Sequence, residues 1–600
     1  MSDRVATDWP TSDGFDKRIT ARRAAFAALV VVTIAVLFAL AAYALSAGGF
    51  GLADALLLLF FALTMPWSVI GFWNATIGFV IMRFARDPVA VVVPSVAGVR
   101  NDEPIVASTA ITIFVRNEPP ERVIRNLDAM MREIELSGAA SRFHLYVLSD
   151  TSHADVAALE ESGFNDLAAR WRDRIPVTYR RRTVNTAFKA GNFWDFCEHW
   201  GGGHEFAVTL DTDSFMTAAA IMRMVRVMQA DPRLGILQGL VVGLPSTSAF
   251  ARIFQFGMRL GMRSWTIGSA WWQSDCGPYW GHNAIIRIAP FVKHCDIPKL
   301  PEDGLFGGVL GGHVLSHDQI EAALMRRAGY HVRVLPEEDL GWEENPPTLI
   351  EFIRRDQRWC QGTLQYGHFL FTPGLKPVGR FQLAFAMLMF LGSPAWIGLL
   401  IVGTLALAAA PTPADFIRPG AGYALLAVVL FMWFAPKIAT VIEVLTRPAL
   451  RRAFGGTVRF LFSVLTETLF FILLSPIMWV CHTLFLAGLP FGRVIGWIGQ
   501  VRDDHSVPWS HALHQLWPHT ALGLASLGLI AVTHPVALPY ALLLAGGPAL
   551  SIPLAVFTAR PGLGQWFSRI GVGRLPEETA PPVALTALAL PAVNAAARAS

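Results

Sequence analysis

Charge is scarce in this chain: Asp, Glu, Lys and Arg make up 16% of its 600 residues, where a soluble domain carries about a quarter. With 53% hydrophobic residues, an ordinary soluble multidomain protein is excluded and a membrane protein indicated. The net charge of +4 is small for this length, so nothing points to a nucleic-acid-binding surface. The five cysteines (Cys197, Cys276, Cys295, Cys360, Cys481) are odd in number and show neither CxxC nor Cys/His spacing, which excludes a recognisable zinc site. Four of them lie in the most polar part of the chain, which fits small buried hydrophobes in a reducing cytosol better than a disulfide framework.

What is present is a pattern of long apolar runs around a polar middle. Ala24 to Ala53 contains no charged residue and exceeds the roughly 20 residues needed to cross a bilayer. It is also longer than the apolar core of a signal peptide, despite the cleavage-like Ala44-Leu-Ser-Ala47. Ala55 to Met82 is the second run. Lys17, Arg18, Arg22 and Arg23 precede the first and Arg83 and Arg86 follow the second, which places both ends in the cytoplasm. The expected organisation is a cytosolic segment 1–23, two spans in 24–82, a cytosolic catalytic domain 83–380, a second membrane block 381–558 and a disordered cytosolic tail 559–600.

In the second block the apolar runs are Phe381 to Ala410, Ala421 to Leu445, Phe460 to Phe491, Ala521 to Thr533 and Val536 to Phe557. Ser475-Pro476 breaks the third, suggesting two helices folded back on each other and eight spans in total, or seven if the proline only kinks one helix. The stretch 493–519, with Trp497, Trp509 and Trp517 among charged residues and histidines, reads as interfacial. Glu467 falls inside a span and is expected to face a polar pore. Trp433, Trp479 and Phe485 are candidate sugar-stacking aromatics.

Within 83–380, β-rich runs (Ile111 to Val115, Leu145 to Leu148, Phe206 to Leu210, Gly235 to Val242) alternate with helical periods such as Glu121 to Glu135 and Ala218 to Ala230. That alternation predicts an α/β domain with a largely parallel sheet. Polar clusters follow the strands, where open α/β sheets bind ligands: Arg116-Asn-Glu118, Ser149-Asp150, Lys189-Ala-Gly-Asn192 and Asp211-Thr-Asp213. Each alone also fits a capped loop. Paired carboxylates after a strand suit a divalent cation on a diphosphate, because a departing diphosphate needs its growing charge neutralised.

Together these clusters resemble glycosyltransferase family 2, whose members use nucleotide-diphosphate sugars on a GT-A-like, Rossmann-like fold. The resemblance implies that Asp150 contacts base or ribose, that Lys189 and Asn192 lie near uridine, and that Asp211 and Asp213 hold donor and Mg²⁺ or Mn²⁺. Ser316-His317-Asp318 opens a helical run, where Asp is a common cap. Processive members of the family carry their catalytic base at this position, so Asp318 is the candidate base, with His317 supporting it. Arg355-Asp-Gln-Arg358-Trp359 resembles the family's QxxRW motif, with Arg355 where Gln is expected. Arg358 would stabilise the leaving diphosphate and Trp359 stack on the acceptor sugar. Tyr279-Trp-Gly-His282-Asn283 matches the acceptor side, and His282 reads equally as a core histidine. The glycines from Gly304 to Gly312 lack the Lys-Ser/Thr of a phosphate loop and suggest a mobile loop over the acceptor.

Longer strings are more specific. Gly281-His-Asn-Ala-Ile-Ile-Arg287, Leu315-Ser-His-Asp-Gln-Ile-Glu-Ala-Ala-Leu-Met-Arg-Arg-Ala-Gly329, Glu343-Glu-Asn-Pro-Pro, Arg358-Trp-Cys-Gln-Gly362 and Arg502-Asp-Asp-His505 resemble the glucosyltransferase H family of osmoregulated periplasmic glucan synthases, in a short form without a long N-terminal extension. That resemblance implies a processive, inverting enzyme of the bacterial inner membrane that polymerises glucose from UDP-glucose into a β-1,2-glucan backbone and exports it. Its partners would be UDP-glucose, the growing glucan, membrane lipid and a periplasmic glucan-processing protein, with no nucleic acid. The alternatives are a synthase of another β-glucan, a lipid-carrier glycosyltransferase, or a transporter with a nucleotide-binding domain. The two unequal membrane blocks show no internal repeat, which disfavours the transporter.

Overall fold

The computed structural model describes residues 13–303, 307–495, 502–582 and 585–586. Helices α1 (Asp13–Leu45) and α2 (Leu52–Phe84) lead into an α/β segment. Its main sheet contains β1 (Thr109–Val115), β2 (Phe143–Ser149), β3 (Val177–Arg181), β4 (Phe206–Asp211), β6 (Leu234–Gly239), β8 (Ala284–Arg287) and β9 (His331–Leu335), ordered β3-β2-β1-β4-β8-β6-β9. A smaller sheet orders β5 (Ser214–Phe215), β10 (Gly341–Glu343) and β7 (Val241–Gly243) as β5-β10-β7.

The strands β3, β2, β1 and β4 run parallel, and only β8 runs against its neighbours in the main sheet. This is the expected Rossmann-like half of a mixed sheet. Strands β1, β2 and β4 are buried along nearly their whole length, as parallel strands covered by helices on both faces must be. The run Gly235 to Val242 becomes two strands instead of one, because after Gly239 the backbone leaves the main sheet to pair with β10.

Four helices place side chains for chemistry: α3 (Phe188–His199), α4 (Ala249–Gln273), α5 (Asp318–Arg327) and α6 (Leu349–Leu364). Helix α4 ties the sheets to the membrane block. A Cβ on Gly78 of α2 would lie 1.8 Å from the Ser264 carbonyl oxygen, and one on Gly268 would lie 1.8 Å from that of Asn74. Only glycine at both positions lets α2 and α4 touch backbone to backbone.

Among the described residues, six helices are long and apolar enough to cross a membrane, or seven if the pair Pro535–Ala549 and Ser551–Thr558, bent by 59°, makes one span. Besides α1 and α2 they include Pro377–Ala409, α7 (Pro419–Thr446), α8 (Thr457–Gly488, extended to Phe491) and α9 (Trp509–Thr533). This corrects the count of eight. The run Phe460 to Phe491 is one helix with Pro476 inside it, since apolar surroundings let a helix absorb a proline. Phe460 near its start packs with Phe256 of α4, and Phe485 near its end packs with Cys360 and Leu364 of α6. Helix α8 therefore packs against α4 near its start and against α6 near its end.

Two further expectations change. Residues 509–519 are helical and open α9; 496–501 lie outside the described residues. Glu467 pairs with Lys437 at 2.7 Å and is almost fully buried, because an isolated carboxylate in a span is costly and a lysine on α7 is within reach. It joins two helices instead of facing a polar pore. The tail is ordered over Pro561–Ile570 and Pro576–Thr579, because Glu577 and Glu578 find buried arginines; residues 583–584 and 587–600 lie outside the described residues. Trp479 stacks on Trp396 at 4.5 Å and Trp433 packs edge-on beside both, while Phe485 is buried.

Candidate active site

Strand register converges the polar clusters. Val115 of β1 lies opposite Ser149 of β2, and Phe114 opposite Asp211 of β4, so residues following three adjacent strands face one crevice at the sheet's carboxyl edge. Arg182 donates to both carboxylate oxygens of Asp150, at 2.8 and 2.7 Å. The same guanidinium donates to the carbonyls of Thr186 and Phe188 at 3.0 and 2.9 Å. These bonds hold Ala187 and Phe188 at φ 57° and 51°, a left-handed conformation that costs non-glycine residues energy and that surrounding contacts must enforce. Helix α3 then starts at an angle that pairs Lys189 with Asp211. Asn192 points inward: it accepts from Arg180 at 2.7 Å and donates to the Leu148 carbonyl at 3.2 Å.

Asp211 ends β4 and Asp213 follows across a tight turn. Lys189 covers Asp211 and lies 5.0 Å from the Phe114 ring centre. Arg502, arriving from the chain between α8 and α9, donates to Glu118 at 2.8 Å and Thr212 at 2.9 Å, with Asp213 3.4 Å away. Burial would raise the Asp213 carboxyl, but Arg502, His282, Arg355 and Lys189 outweigh it and hold it below the usual carboxylate range. The Arg502 resemblance string carried no expected site role; a site residue so distant in sequence leaves no local spacing to find it by.

Two clefts of about 750 Å³ each meet at this acid pair. Asp150, Asn192 and Arg502 line one; His282, Asp318 and Trp359 line the other; Lys189, Asp211, Asp213 and Arg358 line both. The two carboxylates, hard oxygen donors on a shared wall, fit a hard divalent cation.

On the second cleft, Asp318 opens α5 and approaches Gly281 so closely that a Cβ there would clash with its carboxylate. Gly281, at φ 82°, is required on both counts. His317 bridges two acids: Nε2 lies 3.3 Å from Asp318 Oδ1 and Nδ1 2.9 Å from Glu321 Oε2. These three groups have the spacing of a metal cluster, but both ring nitrogens are already engaged by the acids. Burial would lower the His317 pKa; Glu321 and Asp318 reverse that and bring it to about 9. A histidine raised from 6.5 stabilises the fold fully below pH 6.5 and loses that contribution as pH rises through about 9. His317→Asn is therefore expected to lower the melting temperature more at pH 6 than at pH 9.5, and an equal loss at both would remove the charged-histidine assignment.

Helix α6 aligns Arg355, Arg358 and Trp359 on one face. The Arg355 guanidinium stacks 4.7 Å from the Trp359 ring centre and donates to Asn345 at 2.9 Å. Trp359 stays 39% exposed to the cleft, as a stacking surface must. Burial and neighbouring Arg355 lower the Arg358 pKa, against the pull of Asp213 and Asp211. His282 hydrogen-bonds Ser214 at 2.9 Å and lies 3.8 Å from Glu343. Asn283, a candidate substrate contact, is fully buried at φ 50° with its amide towards the Trp342 carbonyl, and lines neither cleft.

A mixed sheet with paired carboxylates at the junction of two clefts defines a glycosyltransferase, and residues 206–544 match the family model described as glycosyl transferase family group 2. The chain belongs to that family. It is 35% identical to the glucans biosynthesis glucosyltransferase H of Pseudomonas putida (strain W619) over 547 residues, 88% of this chain and 63% of that protein. The protein of the same name from Pseudomonas paraeruginosa (strain DSM 24068 / PA7) is also 35% identical, over 85% of this chain and 60% of its own length. The chain thus spans a little less than two thirds of these relatives. Among solved structures, a mannosyltransferase from Pyrobaculum calidifontis in complex with GDP-Man and Mn²⁺ aligns with 66% of this chain at 18% identity and a TM-score of 0.43.

Proposed function

We propose that this multi-pass membrane protein is a processive, inverting glucosyltransferase that builds the linear β-1,2-glucan backbone of osmoregulated periplasmic glucans from UDP-glucose and exports it across the bacterial inner membrane. The observation that carries this reading is the junction of two clefts at Lys189, Asp211, Asp213 and Arg358, with a base candidate on one side only. The positive-inside pattern supports a cytosolic catalytic domain. The names of the curated relatives support glucan synthesis.

The donor lies in the first cleft, its base and ribose towards Asp150 and Asn192. Asp211 and Asp213 hold Mg²⁺ or Mn²⁺, which when bound neutralises charge on the leaving diphosphate. Lys189, Arg358 and Arg502 supply the remaining positive charge from the cleft walls. The acceptor end of the glucan stacks on Trp359, with His282 beside it and Asn283 shaping the wall from behind. Asp318 takes the proton from the acceptor hydroxyl as its oxygen bonds the anomeric carbon and the bond to the diphosphate breaks. One displacement turns an α-linked donor into a β-linked product with no enzyme nucleophile. A periplasmic glucan-processing protein then receives the chain.

Purified protein in detergent with radiolabelled UDP-glucose tests this: metal-dependent UDP release and a β-1,2-linked polymer are expected. Absence of release would remove the enzyme reading, and another linkage would move the protein to a different glucan synthase. Arg502→Ala is expected to raise the donor KM about tenfold or more, the scale of lost charge-assisted hydrogen bonds; an unchanged donor KM would take Arg502 out of the donor site.

A further inference from the structure

The small sheet β5-β10-β7 has two faces, and the strand period of two sends neighbouring side chains to opposite ones. One face serves the clefts. Ser214 of β5 hydrogen-bonds His282, Glu343 of β10 lies near Arg355 and His282, and Asp213 directly precedes β5. The other face carries Phe215 of β5 and Trp342 of β10, and the C-terminal segment covers it. Leu585 is buried in one apolar cluster with Phe215, Val242, Leu244 and Trp342.

Charge locks this cover in place. Glu577 accepts from the Trp342 indole at 3.2 Å and pairs with Arg259 of α4 at 2.8 Å; Glu578 pairs with Arg252 of α4 at 2.8 Å. The Arg252, Arg259 and Glu577 side chains are each more than nine-tenths buried. Arg252 also donates to the Val572 carbonyl at 2.5 Å, and the Gly573 amide donates to Ser463 of α8 at 2.9 Å. Buried ion pairs of this kind specify one arrangement, and breaking one strands its partner.

We propose that the segment 571–582, together with Leu585, is a positioning strap for the active site: by clamping the back of β5 and β10 to α4, it fixes Asp213, Glu343 and His282 on the front. None of these described residues lines either cleft, so Glu577 and Leu585 act through Trp342 and Phe215. A misplacement of about 1 Å at reacting groups costs up to ~10²-fold in rate. Donor recognition at Asp150 rests on the main sheet and is independent of the strap.

Glu577→Gln and a truncation ending at Arg574 test the strap by two readouts, hydrogen exchange and UDP release from UDP-glucose. Both variants should speed amide exchange in β5 and β10 while β1, β2 and β4 keep wild-type protection. They should lower kcat about tenfold or more with uridine binding, assigned to Asp150 and Asn192, unchanged, and a synthetic peptide of residues 575–586 should restore the truncated enzyme. Wild-type exchange in β5 and β10 for both variants, or wild-type kcat, would overturn the strap. Should the truncation lose protection throughout the main sheet, Glu577→Gln alone decides. The enzyme assay rests on the donor proposed above: a wild-type protein that releases no UDP sinks that reading, while exchange still judges the strap.

Discussion

Asp318→Asn is expected to lower transfer by about 10²–10⁴-fold, the usual contribution of a general base, with UDP binding unchanged. Asparagine keeps the shape of the side chain, but it takes no proton. Asp318 lines the second cleft and not the first, so the donor site is untouched. Its surroundings fit a base held ready: His317 Nε2 lies 3.3 Å from one oxygen, Glu321 holds the imidazole from behind, and Gly281 leaves room for the carboxylate. Turnover measured beside equilibrium UDP binding separates the outcomes. Turnover within tenfold of wild type would assign the base elsewhere, and loss of both together would make Asp318 a structural cap.

Asp213→Ala should be about as damaging, losing roughly 10²–10³-fold in turnover, as expected when charge stabilisation of a leaving group is removed. Asp213 is the acid on which both clefts and the small sheet converge, and Arg502 leads the groups that hold its pKa low. Removing it leaves Arg502 with Glu118, Thr212 and Glu344 and takes away one of two carboxylates for a cation. A turnover titration against Mn²⁺ should show a midpoint shifted far upward. A near-normal rate with an unchanged midpoint would show that the pair holds no catalytic metal. Asp211→Ala adds a control, because Lys189 rather than Arg502 loses its partner there.

The site was legible where it is local. Strand-end clusters, the acid pair and Asp318 at a helix start follow from patterns a few residues long, and register then brings them to one edge as parallel strands require. Asn283 and Glu467 were harder. Asn283 sits beside a cleft residue in sequence, yet backbone at φ 50° turns it into the core. Glu467 stands as a lone charge in its own stretch of sequence, because its partner Lys437 lies on another helix.

By itself the sequence determined that the chain is membrane-bound, that an α/β segment divides two apolar blocks, and which residues cluster after each strand, because apolar runs and periodicity are properties of neighbours along the chain. Only the tertiary structure decided that α8 is one helix packed against α4 and α6, that Arg502 reaches the acid pair, and that the Glu577–Arg259 pair braces the sheet behind Asp213. Each of these joins groups from about 120 to more than three hundred residues apart. Their pairing comes from burial that leaves a charge or an apolar side chain no nearer partner, and no local pattern encodes it.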